Sequence, residues 1–299
     1  MTAQAISAEL LAVVVALVDG RPSVLTLGET PRLPAGPLLP SHRSLQAATR
    51  AWVEQQSGQK LGYLEQLYTF ADLDRAEPGR RISVSYLGLT RGPATGIGSW
   101  TPWYELLPWE DLRTAPLPGQ IWPALREWAG DDAGRKLRCE VCFGPTTAAS
   151  QALTQARPDA ALQRYELLYE VGLVPESPDQ WRLPELVPGQ RMFGDHRRIL
   201  ATALARLRAK IEYRPVVFEL LPDVFTLRQL QDCVEALAGR AVHTQNFRRL
   251  VAAEELVEDT GEIRADTGGR PARVYRFKRD VVASRQVAGT RLPLSGRHS

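Results

Sequence analysis

The sequence has few cysteines and lacks any hydrophobic run long enough to cross a membrane. Three cysteines among 299 residues give no disulfide framework, and their scarcity favours a reducing compartment. The strongest apolar run, Leu10–Val18, has half of the about 18 residues that a membrane span needs, and its β-branched residues suit a buried strand. No basic residue precedes this run, which argues against a signal peptide. We therefore expect a protein of the cytoplasm with no membrane partner.

The usual patterns of a metalloenzyme or a nucleotide-binding enzyme are also missing. Cys139 and Cys142 have the spacing of zinc ligands, but no second pair of cysteines or histidines completes four ligands, so we expect packed thiols. Gly96-Ile-Gly98 lacks the lysine of a P-loop and the third glycine of a dinucleotide fingerprint. The histidines are scattered, without the neighbours of a catalytic triad: His42, His196, His243 and His298.

Charge is present but is unevenly distributed along the chain. The formal net charge is +3. From Asp195 to the C-terminus there are 19 Lys and Arg against 13 Asp and Glu, which gives +6, whereas residues 1–194 hold 18 against 21, which gives −3. The positive excess therefore lies in the C-terminal third, where a nucleic-acid surface would need it.

The first ninety residues alternate between strand and helix patterns. Leu10–Val18 and Ser23–Leu27 read as two strands around a tight turn, and Ser44–Gln56 reads as a helix closed by a Ser-Gly pair. Tyr63–Phe70 and Ile82–Leu89 read as further strands. The layout is therefore of the α+β class.

Residues 92–194 show no sustained period. Two helix candidates, Ile121–Trp128 and Ala160–Val171, flank a short apolar segment around Leu137–Phe143. The tryptophans between Trp100 and Trp109 are more typical of a core or an interface than of a base-stacking platform. We read this region as a long insertion.

From Asp195 onward the spacing of apolar residues again predicts a helix. One face of the predicted helix from Asp195 to Tyr213 is apolar, and most of its cations are expected off that face. The apolar positions are Leu200, Leu204, Leu207 and Ile211, and the cations are Arg197, Arg198, Arg206, Arg208 and Lys210. A helix packed between two domains explains this spacing, and so does a seam that pairs two chains.

Two further helices and a hairpin follow. Thr226-Leu-Arg-Gln229 has the form of a capping box, and Gly239 can end the helix that it starts. A second amphipathic helix, His243–Ala253, turns Phe247, Leu250 and Val251 inward. Two strands, Leu256–Asp259 and Arg273–Phe277, are joined by a glycine-rich loop. This order is typical of a winged helix-turn-helix, whose second helix enters the major groove of DNA.

The outer face of the second helix carries the side chains that read bases. Arginine bonds guanine bidentately, glutamine and asparagine bond adenine, and threonine reaches phosphate. Alternatives are a solvated surface and a winged helix that binds protein. The candidate contacts to double-stranded operator DNA are Thr244, Gln245, Asn246, Arg248 and Arg249 on the helix, with Arg264, Arg270 and Arg273 on the hairpin.

Several segments resemble one known family, the Nudix-related regulators of NAD metabolism, which comprise the NrtR group and its alphaproteobacterial relative NadQ. In the C-terminal third the segments are Lys210–Pro215, Phe225–Leu230, Asn246–Arg249 and Gly269–Phe277. Upstream, Tyr63–Phe70 with Asp72 and Asp74, and then Arg81–Gly88, are similar to the Nudix-like half. The tryptophan-rich stretch Trp100–Glu110 and the segment Arg164–Tyr169 favour the NadQ branch.

The resemblance implies a fold and a function. It predicts a Nudix-like α/β/α sandwich over residues 1–194, with the insertion at about 92–190, a connecting helix at 195–214, a winged helix-turn-helix domain at 215–285 and a flexible tail at 286–299. It further implies a homodimeric repressor of NAD-biosynthesis genes that senses NAD, ATP or ADP-ribose.

The same resemblance argues against catalysis. A Nudix hydrolase holds Mg²⁺ with clustered carboxylates on a helix, and here Gln55 and Gln56 stand where two of those glutamates belong. Glu54 alone makes no metal site, so we predict no enzyme and no metal. An active hydrolase with an accessory domain is the alternative.

A bound dinucleotide needs cations for its diphosphate and an aromatic surface for adenine. The resemblance offers Arg80, Arg81, Tyr68 and Tyr86 as effector contacts. Each has a structural alternative, as a loop cation or a half-buried strand aromatic.

Overall fold

The chain is described by a computed structural model that covers residues 6–71, 81–92, 96–113, 119–145, 157–178, 187–213, 216–264 and 271–278. In this part of the chain no helix is long and apolar enough to cross a membrane. The first unit is a mixed sheet in the order β4-β5-β1-β2-β6, with β3 paired to β1. Its elements are β1 Ser7–Val18, β2 Arg21–Thr26, β3 Ala35–Pro37, α1 Leu45–Ser57, β4 Tyr63–Phe70, β5 Arg81–Leu89 and β6 Ser99–Pro102.

The central strand β1 is covered on both faces. It runs parallel to β5 and antiparallel to β2. Leu11 and Val13 belong to the main core, whereas Ala12 and Val14 pack on the other face with Val53 of α1. A strand buried on both faces needs apolar residues at every position, which accounts for the continuous run seen in the sequence.

Helix α1 begins and ends at residues that suit its ends. The side chain of Ser44 accepts a hydrogen bond from the N–H of Ala47, and Gly58 takes the left-handed conformation with φ of 71°. The indole ring of Trp52 lies 2.3 Å from the place where a Cβ on Gly36 would stand. A side chain at position 36 would therefore push β3 away from α1.

A helical layer follows the sheet. It contains α2 Trp103–Leu106, a 3-10 turn Pro108–Glu110, α3 Ile121–Ala129, α4 Ala133–Phe143 and α5 Ala161–Glu170. Trp103 and Trp109 are buried, which confirms the expectation of a core role. The segment around Leu137–Phe143 is part of α4. Asp132 precedes this helix as its N-cap, and its side chain accepts from the N–H of Arg135.

The connecting helix α6 spans His196–Tyr213. Its apolar positions Leu200, Leu204, Leu207 and Ile211 are fully buried within the chain. The packed-helix interpretation is therefore confirmed, and these four residues are not available as a seam between two chains.

One expectation about α6 was wrong. Arg197 and Arg208 are buried, with exposed fractions of 0% and 2%, although the pattern placed them off the apolar face. Both guanidinium groups are paired with buried glutamates, Arg197 with Glu176 and Arg208 with Glu110. Those partners lie on distant segments, so the helical period alone could not reveal them.

The C-terminal unit consists of two helices and a three-stranded sheet in the order β7-β9-β8. Thr226 and Gln229 form both hydrogen bonds of the predicted capping box, and Gly239 ends the first helix with φ of 68°. The sequence did not reveal β7, which has three residues and pairs with β9. The elements are β7 Val224–Thr226, α7 Leu227–Ala238, α8 Thr244–Ala253, β8 Val257–Arg264 and β9 Ala272–Phe277.

Candidate nucleic-acid interface

Helix α8 presents a polar surface on a firmly anchored helix. Phe247 and Val251 are buried at 0% and 2% exposure and hold the helix against the domain. The five candidate DNA contacts of this helix are all exposed and lie together in its first two turns. They are Thr244, Gln245, Asn246, Arg248 and Arg249. The arrangement exposes amide and guanidinium groups to solvent, where a DNA groove could receive them, and Arg249 donates to the side-chain oxygen of Asn246 at 3.4 Å.

The start of α8 is fixed by a buried network from α7. The side-chain nitrogen of Gln231, a residue 3% exposed, lies 3.0 Å from the carbonyl oxygen of Val242 and 3.1 Å from the hydroxyl of Thr244. The carboxylate of Glu235 accepts from the N–H of Val242 and from Gln231, both at 2.9 Å. The sequence pattern missed this role, since Gln231 looked like any polar helix residue.

The hairpin β8–β9 forms the wing. Arg273 is exposed and donates to the carboxylate of Asp259 at 2.8 Å. Hydrogen bonds from the N–H of Gly261 and from Arg273 lower the pKa of Asp259. Arg264 lies opposite Ala272, next to the pair formed by Ile263 and Arg273. Arg270 lies outside the described residues, so its predicted contact stays a prediction.

The effector candidates of the sheet are not gathered into one pocket. Tyr86 is 2% exposed and packs with Leu10 and Ala48, on the side of α1, where burial raises the pKa of its hydroxyl. Arg81 lies five residues earlier on β5, so its side chain points to the opposite face, 3.6 Å from Glu9. Tyr68 is 59% exposed. Arg80 lies outside the described residues, and the set as a whole stays a prediction.

Helix α1 uses the two glutamines differently. The amide of Gln56 accepts from the N–H of Ala35 at 3.1 Å and donates to the carbonyl of Ala35 at 2.7 Å. Gln55 and Glu54 are exposed, and Glu54 lies 3.8 Å from Lys60. Gln56 thus acts as a clamp between α1 and β3, a role that requires both a donor and an acceptor. Among the described residues, no three His, Cys, Asp or Glu side chains cluster as metal ligands would.

The paired cysteines are packed thiols, as expected. Cys139 and Cys142 are buried in α4 at 4% and 2% exposure. Burial raises the pKa of Cys139 to about 11, so this thiol stays protonated at neutral pH.

Known proteins share parts of this sequence and fold. Residues 217–277 match the family model of the NrtR DNA-binding winged helix domain. The "ADPR responsive transcriptional repressor NtrR" of Acinetobacter baylyi is 37% identical over 83 residues, which is 28% of this chain and 33% of that protein. The alignment therefore spans about a third of the length of the curated relative.

Solved structures match over nearly the whole chain. NrtR of Shewanella oneidensis, crystallised with a 27mer DNA, superposes with a TM-score of 0.53 at 20% identity and covers 92% of this chain and 95% of that one. A MutT/nudix family protein from Enterococcus faecalis superposes with a TM-score of 0.54 at 16% identity over 93% and 88% of the two chains. At these identities the likeness shows a shared fold.

The predicted fold class, a Nudix-like α+β unit followed by a winged helix, is therefore confirmed. The placement within the NadQ branch stays a prediction. The chain is therefore similar to the NrtR regulators: its fold resembles that of NrtR of Shewanella oneidensis over nearly its whole length, and its residues 217–277 match the NrtR DNA-binding winged helix domain.

Proposed function

We propose that the protein is a DNA-binding transcriptional repressor of NAD-biosynthesis genes, controlled by an adenine nucleotide that binds its Nudix-like domain. The observation that carries the proposal is the exposed, amide- and arginine-bearing start of α8 in a domain that matches the NrtR DNA-binding model. Among nucleotides we favour ADP-ribose, because the curated relative is named as responsive to it.

The parts of the chain have separate roles in this proposal. In it, residues 1–194 sense the nucleotide, residues 195–214 connect the two domains, and residues 215–285 bind DNA. The tail predicted at 286–299 lies outside the described residues. Two copies act as a homodimer in the cytoplasm, because the two half-sites of an operator, about 34 Å apart, need two winged helices. Light scattering on the purified protein tests the dimer, and a monomer at working concentration would contradict it.

We further propose that the Nudix-like domain binds without hydrolysis. The neutral Gln55 and Gln56 supply no charge to a metal, and the amide of Gln56 is already engaged with Ala35. The rival function is hydrolysis of a nucleoside diphosphate derivative. Magnesium-dependent turnover of NAD or ADP-ribose by the purified protein would establish that rival.

A gel-shift titration tests the main proposal. The protein is titrated against the promoter of the de novo NAD operon, alone and with NAD, ATP or ADP-ribose added separately. We expect a retarded band whose midpoint shifts with one nucleotide. A protein that leaves this promoter unbound at every concentration, with and without nucleotide, would contradict the proposal.

The surface of α8 is tested by removing its charge. The double variant Arg248→Ala, Arg249→Ala should lose affinity, since each bidentate base contact contributes about 1–3 kcal/mol. The variant Arg135→Ala, Arg138→Ala removes two cations from the outer side of α4 and is the matched control. Equal affinities of the two variants would show that α8 does not read the operator.

A further inference from the structure

We propose that the Nudix-like domain positions the recognition helix α8 by capping the carboxyl end of α7, and that this cap carries the effector signal to the DNA-binding surface. The proposal rests on the function proposed above. Its central positioning residue is Tyr104, with Arg208 beside it.

The end of α7 is capped by groups from outside its own domain. The last carbonyl groups of a helix have no partner within the helix. The hydroxyl of Tyr104 donates to the carbonyl of Ala236 at 2.6 Å, and the Nε of Arg208 donates to the carbonyl of Leu237 at 3.0 Å. The N–H of Leu112 donates to the carbonyl of Gly239 at 2.8 Å. These three donors therefore come from α2, from the segment that follows it, and from α6.

Gly239 allows this close approach. Its φ of 68° is the left-handed conformation that ends α7. A Cβ at this position would stand 2.1 Å from the carbonyl oxygen of Glu110 and 2.9 Å from the Nη2 of Arg208. The glycine therefore serves the contact between the domains as well as the helix end.

A buried charged frame holds the cap in place. The carboxylate of Glu110, 2% exposed, accepts from Arg164 of α5 at 2.6 and 2.7 Å and also from Arg208 of α6. Burial alone would raise the pKa of Glu110, but the charges and hydrogen bonds of the two arginines outweigh it and lower the pKa. The frame ties the insertion, the connecting helix and the end of α7 into one unit.

The start of α8 follows the end of α7. Gln231 and Glu235 bind the backbone of Val242 and the hydroxyl of Thr244, across the turn between the two helices. A displacement of α7 along its axis is therefore passed to the first residue of the recognition helix.

The residues that cap α7 are connected to the six-stranded sheet of the Nudix-like domain. Strand β6 is the edge strand paired with β2, and it leads without a loop into α2, which carries Tyr104. Arg21 of β2 also donates to Glu105 of α2 at 2.8 Å. On α6, two residues beyond Arg208, Lys210 is paired with Glu65 of β4, the strand that carries Tyr68. A movement of the sheet can therefore reach the capping residues by two connections, one through β6 and α2 and the other through β4 and α6.

The variant Tyr104→Phe tests this route. It keeps the ring and removes the hydroxyl, which caps Ala236 and also accepts from Arg208 at 3.4 Å, so the chain should still fold, with an unfolding midpoint somewhat below that of the unmodified protein. The measured quantity is the ratio of operator affinities without and with saturating ADP-ribose, on the DNA fragment that the unmodified protein binds. We expect this ratio to move toward one by roughly fivefold, the effect of one lost hydrogen bond. Tyr169→Phe, on a partly exposed tyrosine of α5, is the matched control.

Affinity for ADP-ribose alone, measured by calorimetry without DNA, should be the same in both variants. A Tyr104→Phe protein whose operator affinity falls equally with and without ADP-ribose would show a merely structural cap and overturn the proposal. An unchanged ratio would overturn it as well. An unmodified protein that ignores every nucleotide would instead overturn the proposed function, and the cap proposal with it.

Discussion

At Gln56, where the resemblance predicts a carboxylate in a Nudix hydrolase, the side-chain amide binds both backbone groups of Ala35. A carboxylate would keep the acceptor but lose the donor. The variant Gln56→Glu should therefore lower the free energy of unfolding by about 1 kcal/mol. Urea unfolding measures the change, with Gln55→Glu on the exposed neighbour as control. Equal stability of the two variants would contradict the clamp.

Glu110 gives the second residue-scale prediction. Glu110→Gln leaves two buried guanidinium groups without their counter-charge and should cost about 3–5 kcal/mol of unfolding free energy. Because the folded pKa of Glu110 is lowered, its contribution is complete above the unfolded value of about 4.3 and is lost as the pH falls through the folded pKa.

The pH dependence separates this charge effect from simple packing loss. Below pH of about 4.3 the unfolding free energies of the original protein and of Glu110→Gln should converge as the pH falls. Urea titrations at neutral and acidic pH measure the difference in unfolding free energy between the two proteins. A difference that stays constant with pH would contradict the assigned role of the carboxylate.

The contacts between the Nudix-like domain and the end of α7 could not be predicted from the sequence. Arg208 and Glu110 are 98 positions apart, and Gln231 acts through a turn that no local pattern predicts. The spacing of hydrophobic residues predicts which side of a helix is apolar. It does not predict that a cation on that helix is buried beside a carboxylate from a distant part of the chain.

At the scale of elements, helix ends were predicted well because their signals are local. Ser44, Gly58, Thr226 and Gly239 cap helices as the sequence indicated. Strands β6 and β7 have four and three residues, too short for a period, and exist because β2 and β9 pair with them. Their positions depend on the assembled sheet and could not be read from the segments themselves.

The capping box of α7 can be tested directly. Thr226→Ala removes the hydroxyl that accepts from the N–H of Gln229 at 3.1 Å and should cost about 1 kcal/mol of unfolding free energy. Thr226→Ser keeps the hydroxyl and should stay close to the original stability. Chemical denaturation followed by circular dichroism gives both values, and an equal loss in the two variants would point to the lost methyl group instead.

At the scale of the whole molecule, the resemblance supplied the order of the two units, and the comparisons confirmed it. It did not supply the contact between them. In the signal route proposed above, the connecting helix α6 is joined by β6 and α2, which the sequence showed only as a tryptophan-rich stretch.

The charge asymmetry of the chain leads to a whole-molecule prediction. Operator affinity should fall linearly with salt on logarithmic axes, and Arg248→Ala, Arg249→Ala should reduce the slope by about two if both cations contact phosphate. Fluorescence anisotropy over a salt series measures the slope. A slope equal to that of the Arg135→Ala, Arg138→Ala control would place the DNA elsewhere.

The three buried thiols can report how the molecule comes apart. Cys139 and Cys142 lie in the insertion, and Cys233 lies in α7 of the C-terminal unit. Burial raises the pKa of each thiol. Each must be uncovered before a thiol reagent reaches it. If the shared cap makes the two units open together, all three will be labelled at one rate in mild denaturant, and a protein with the cap broken will label Cys233 first.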